Sequence, residues 1–394
     1  MEPRRAWLVS GDAGVSSTAV TAAVPPAPSG NRLAWLDVLR AGAVSIVVWD
    51  HFVGSFLNHT GVTWLPNVVI NKVIFTPLAI TQYGGFLGVS VFFLISGYII
   101  ARTARSESHR KFAIRRLLRI VPPLALATVL GFVLVKINPN ISPRAADASL
   151  WDILTNVTLT NYFLTPKIVL VGVAWSLVVE VVFYLLTFLF LPVLHSKRFI
   201  GLFPFLIIAA ALLLLATRRE FGPNYFLLVV NCLYMPLLAI GSGFYLKESR
   251  VLNAWGFAAV LAGGWLVFLW GTSRIYPKFL AATDSYPVSI AAAVLLFTVM
   301  WLLRDRVRTW RPIKLLALSS YSIYLFHGIV GLPVLAHFYT SIGYTLALIL
   351  ALAATAGATV GSYLLVEKPC QRLARRLTRK QSIPGTVQTP AAPA

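Results

Sequence analysis

The chain has 394 residues, of which 58% are hydrophobic and only 12% charged, with a mean hydropathy of +0.77. Soluble domains carry roughly a quarter charged residues, so this composition excludes an ordinary soluble protein, and the apolar surface also excludes disorder over most of the length. The 34 Lys+Arg against 13 Asp+Glu give +21; in a soluble chain that points to nucleic acid, but here it points to positive loops on one side of a membrane, and no nucleic-acid partner is expected.

In chain order, residues 1–33 read as an Ala/Pro/Ser/Thr-rich disordered cytoplasmic tail. Asp12 interrupts them, so they do not form a signal peptide. Ten apolar runs follow, at about 36–57, 83–101, 117–135, 173–194, 199–217, 225–246, 252–272, 286–303, 315–338 and 342–365. Each is about the ~20 residues that cross a ~30 Å hydrocarbon core. The third carries Pro122-Pro123 near its expected start, where proline is cheap. Segment 151–165 is too polar to span and is expected at the outer interface or in a loop. The prediction is an all-α polytopic membrane protein with a ten-helix domain over 34–370. A basic, then disordered, cytoplasmic tail is expected over 371–394. Cys232 and Cys370 lie far apart with no metal spacing, and no metal is expected.

Charge sets the orientation. With the N-terminus inside, the inner set holds Arg4, Arg5 and Arg32, seven cations from Arg102 to Arg119, then Lys197, Arg198, Lys247 and Arg250. Five more run from Arg304 to Lys314 and six from Lys368 to Lys380. That is 25 inside against 8 outside, with Arg40 within the first span. The positive-inside rule then places both termini in the cytoplasm.

Ionisable groups inside spans are costly and become functional candidates. The first span holds Asp37, Arg40, Asp50 and His51. Eleven residues separate Arg40 from His51, which leaves them about 20° apart around a helix and about 16 Å apart along it. Asp37 falls on the same face and can pair with Arg40 at i,i+3. The fourth span carries Trp175, read as an interface anchor, and Glu180, whose buried carboxylate needs a partner. A His51–Glu180 pair that fixes the imidazole tautomer is the economical expectation. On the ninth span Ser320, Tyr324 and His327 form one stripe at i, i+4 and i+7. Arg116 and Arg119 project from one side of the third helix at the cytoplasmic surface, an arrangement that suits either phosphate or anionic lipid. Together these groups suggest proton abstraction deep in the membrane, with a phosphate-bearing partner held from inside.

Several segments in this order resemble the integral-membrane acyltransferase family 3, over about residues 32–370. They are Arg40-x10-His51, the Gly88–Tyr98 run GVSVFFLISGY, and Arg116-x-x-Arg119 followed by Pro122. Trp175-Ser176-x3-Glu180-x3-Tyr184, Ser320-x3-Tyr324-x2-His327 and Val366-Glu367-Lys368-Pro369 complete the set. Tyr98 at the end of its motif and Asp50 before His51 depart from the usual pattern. The resemblance implies O-acylation of a cell-envelope sugar, lipid-linked glycan or macrolide by acetyl-CoA or a related acyl-CoA, in a bacterial plasma membrane. It places the donor phosphates on Arg116 and Arg119, makes His51 the general base with Glu180 orienting it, and puts Arg40 on the donor or on Asp37. No bound cofactor is expected. The hydrolase-like extracytoplasmic domain of some members is not seen, so transfer is expected to finish in the membrane domain or on a separate partner. The rival reading is a transporter or flippase with His51 and Glu180 as a proton relay.

Overall fold

The computed structural model describes residues 33–164, 167–195, 202–217, 225–279 and 286–379. Of the tails expected over 1–33 and 371–394, residues 1–32 and 380–394 lie outside them. Among the described residues there are helices and no strand. The chain runs through α1 (Ala34–Trp49), α2 (Gly85–Ala104), α3 (His109–Ile137), α4 (Leu150–Val157), α5 (Trp175–Leu189) and α6 (Phe203–Thr217). It continues through α7 (Tyr225–Glu248), α8 (Ala254–Phe279), α9 (Tyr286–Leu302), α10 (Arg311–Phe326), α11 (Tyr344–Ser362) and α12 (Lys368–Leu377).

A helix lies over each of the ten predicted segments. By length and composition, six stretches can cross a membrane: Gln82–Ala104, His109–Ile137, Gly172–Leu189, Ala254–Ser273, Arg311–Phe338 and Tyr344–Leu377. The apolar helix Leu65–Phe75, between the first two predicted runs, is shorter than a span. The 151–165 segment holds α4, which opens on a capping box of Ser149 and Asp152 and leaves Leu150, Trp151 and Leu154 exposed. Such a short helix with an exposed apolar face suits an interfacial position. α12 crosses the boundary expected at residue 370.

The prolines of α3 correct an expectation. The helix begins at His109, capped by Ser108, so Pro122 and Pro123 sit inside it rather than in its first turn. Neither ring can donate a helical hydrogen bond. Near this interruption Tyr321 of α10 donates to Ile120 O at 3.0 Å.

α2 is central, packing against α1, α5, α7 and α9. Its contact with α7 is a close backbone approach. A Cβ on Gly97 would strike the Leu238 carbonyl, and one on Gly241 would strike the Leu94 carbonyl. Ser242 donates across the same seam to Gly97 O at 3.0 Å. Small residues are what allow membrane helices to approach this closely. On the other side of α2, Trp35 of α1 meets Tyr98 and Phe297 edge-on, with ring centroids 5.2 and 5.3 Å apart.

Candidate active site

Two helices change pitch at a histidine. After α1, residues Asp50–Ser55 form a π-helical turn that contains His51. After α10, His327–Gly331 form another. Such turns insert a residue and occur often at functional sites. His51 Nδ1 lies 2.9 Å from Val47 O, and His327 Nδ1 lies 3.0 Å from Ile323 O. A carbonyl oxygen only accepts, so both Nδ1 atoms carry a proton and both Nε2 atoms of the neutral rings are lone pairs. His327 Nε2 lies 3.3 Å from His51 Nδ1, positioned to accept a share of that proton. The rings meet edge-on with centroids 4.9 Å apart. His327 is fully buried, whereas His51 is half-buried. Among the described residues no hydrogen bond is made to His51 Nε2.

The expected His51–Glu180 pair does not form. Glu180 accepts from the Tyr184 hydroxyl, one turn along α5, and from Ser96 Oγ of α2 at 3.4 Å. The tautomer-fixing role that the sequence assigned to Glu180 falls instead to Val47 O and His327. The cause is register: His51 Nδ1 turns back along its own helix, and Tyr184 reaches the carboxylate first.

Glu180 belongs to a cavity of about 80 Å³, into which Arg40, Ser96, Arg119, Tyr184, Ser320 and Tyr324 also face. Arg40 lies 3.9 Å from Asp37, the expected i,i+3 pair, with the Asp37 side chain only 2% exposed. The Ser320–Tyr324–His327 stripe is as predicted: two of its members line the cavity and the third meets His51. Tyr324 is anchored at 2.8 Å to Ser176 and donates to Val173 O at 3.1 Å. Its ring lies 5.9 Å from that of His327 and also lines the cavity, so it links the histidine pair to the cavity. Trp175 is half-buried against Tyr234, with centroids 5.4 Å apart.

The two arginines of α3 separate. Arg119 lines the cavity, and no hydrogen bond or ion pair within 4 Å holds its guanidinium among the described residues. Arg116 is buried and committed. It bonds Thr103, lies 3.8 Å from Glu107 and stacks over Phe112 and Tyr184. Of the expected phosphate pair, Arg119 alone lines the cavity. The sequence reading missed Ser96, Tyr184, Thr103 and Glu107 as partners. The available signal was Glu107 itself, an acid among seven cations.

Among the described residues, no group of three or more His, Cys, Asp or Glu side chains is placed to hold a metal ion.

Comparison with known proteins converges on one activity. BcsY of Komagataeibacter xylinus, named as a membrane-bound transacylase, is 29% identical over 358 residues, 86% of this chain and 83% of its own. The O-acetyltransferase OatA of Staphylococcus aureus is 26% identical over 74% of this chain. YrhL of Bacillus subtilis, named as a peptidoglycan O-acetyltransferase, is 26% identical over 62%. The chain spans about half the length of these last two, 49% and 44%. No solved structure matches. A family model described as an acyltransferase domain matches residues 33–367. The protein is therefore a multi-pass membrane acyltransferase, and it belongs to acyltransferase family 3.

Proposed function

We propose that the protein moves a short acyl group from acyl-CoA, entering from the cytoplasm, to a hydroxyl of an envelope glycan, a lipid-linked sugar or a macrolide. Ten spans with both termini in the cytoplasm, in a bacterial plasma membrane, complete the proposal, supported by the 25-to-8 charge count and the helices over all ten segments. The names of the relatives favour O-acetylation, and peptidoglycan is the acceptor named for one of them. A cavity of about 80 Å³ suits a group of a few heavy atoms, which favours acetyl.

The histidine pair carries this reading. His51 Nε2 takes the proton of the acceptor hydroxyl. The oxygen attacks the thioester carbonyl, the C–S bond breaks, and the proton passes from Nε2 to the departing thiolate. Arg119 and Arg40 face the negative charge that develops on the carbonyl oxygen. Glu180, tied to Tyr184, keeps those guanidinium groups from facing an all-positive wall.

The test incubates the purified protein in nanodiscs with radiolabelled acetyl-CoA and envelope glycan fragments. Label should appear on the glycan, with CoA released in step, and His51→Ala should lose both. Label transfer by His51→Ala at the wild-type rate would sink the assignment.

A further inference from the structure

A second concavity shares no lining residue with the cavity of Glu180 and Arg119. It is a groove of about 1020 Å³ between the first turns of α3 and the end of α12. Arg110, Lys111 and Arg115 line one side, and Arg375, Arg376 and Arg379 the other. No acidic residue lines it among the described residues. The nearest carboxylate, Glu107, is buried and bonded to Arg115 at 2.6 Å. Thr378 fixes the same guanidinium, accepting from Arg115 Nε at 3.2 Å. Arg115 is thereby held as a rigid floor, while Arg375, Arg376 and Arg379 stay exposed.

Like charges this close repel one another, and Arg375 and Arg379 are at the i,i+4 spacing where the cost is direct. An anion of several charges would relieve that repulsion. A phosphate presented to such a fork of guanidinium groups gains charge-assisted, bidentate hydrogen bonds.

We infer that this groove binds the phosphate-bearing nucleotide end of the acyl donor. The inference rests on the acyl-CoA reading proposed above. Volume is the first reason: the groove has the size of sites for drug-sized ligands, which run to roughly 300–1,000 Å³. The apolar lining is the second, because Ile114 and Leu377 are its only aliphatic members and a lipid would bring two acyl chains. Position is the third. Arg115 adjoins Arg116, which stacks over Tyr184, whose hydroxyl bonds Glu180 in the inner cavity. The groove and the inner cavity are thus joined through the adjoining residues Arg115, Arg116 and Tyr184. Half of this groove comes from α12, which starts at Lys368, just beyond the family-matched region ending at residue 367. The arginines that the motif would assign to phosphate are thus replaced in that task by ones outside it.

The test uses the full chain in nanodiscs and the triple variant Arg375→Gln, Arg376→Gln, Arg379→Gln, whose sites are exposed. Adenosine 3′,5′-bisphosphate, which lacks the thioester arm, should bind the wild type and bind the variant at least tenfold more weakly. Wild-type binding should also weaken as salt rises. The ratio of kcat/KM for acetyl-CoA to that for S-acetylpantetheine should fall at least tenfold in the variant. An unchanged ratio, with wild-type transfer from acetyl-CoA intact, overturns the groove and leaves the acyl-CoA reading standing. A wild type that transfers nothing from acetyl-CoA overturns that reading, and the groove's donor role with it. An unchanged ratio coupled to lost stimulation by phosphatidylglycerol would reassign the groove to lipid and overturn the proposal.

Discussion

The turns at His51 and His327 are built alike and end up different. Each is π-helical, each directs Nδ1–H to the carbonyl four residues back, and each contains a glycine, Gly54 or Gly331. One imidazole is half-buried with an unengaged Nε2, whereas the other is sealed with its Nε2 spent on its neighbour. In the proposed mechanism, identical local bonding thus yields a base in one place and a positioning group in the other. The difference arises from what each helix packs against, not from the turn.

The comparison breaks most sharply at the base. His51→Ala should cut kcat by about 10²–10⁴-fold with normal membrane insertion, read by initial rates on purified protein. If His327 only positions, its loss should cost less, about 10–100-fold, the range for a partner that orients a working group. His327→Gln, which keeps an accepting oxygen, should recover much of what His327→Ala loses; equal loss in the two variants would refute the positioning role. Next come the glycines. A Cβ on Gly331 would meet the Phe52 ring and Thr355 Oγ1, and one on Gly54 would meet the Tyr83 ring. Either alanine should destabilise by about 1–3 kcal/mol through overpacking, read as a lowered Tm. Gly331→Ala should also slow turnover, because Phe52 lies against His327, with ring centroids 6.1 Å apart. The smallest effect belongs to a residue outside both turns. Tyr184→Phe removes one donor from Glu180 and should cost about 1 kcal/mol, or several-fold in kcat/KM for acetyl-CoA.

Much of this was legible beforehand. The apolar runs gave the helices because a run of that length has few other places to go. The Ser320, Tyr324 and His327 stripe was legible because three residues at i, i+4 and i+7 share a face whatever lies opposite. Contacts between helices were not. Whether Glu180 meets His51 or Tyr184 depends on the rotation of α5 about its axis, and no spacing within one helix reports that. The π turns left no mark in a count at 100° per residue. Arg116 and Arg119 share a spacing but not a fate, because the second guanidinium reaches the cavity while Glu107 captures the first.

One consequence of the histidine geometry concerns where a proton can go. The His51 Nδ1 hydrogen is shared between Val47 O and His327 Nε2, and the His327 Nδ1 hydrogen ends on Ile323 O, a backbone carbonyl that cannot pass a proton onward. The pair is therefore a dead end and not a wire. A proton collected at His51 Nε2 has one door, the one by which it came in. In the proposed mechanism each catalytic cycle must return it through that door, to the leaving sulfur or to water at the same mouth. Such a site can catalyse acyl transfer indefinitely without moving a net charge across the membrane, so turnover should be indifferent to an imposed membrane potential.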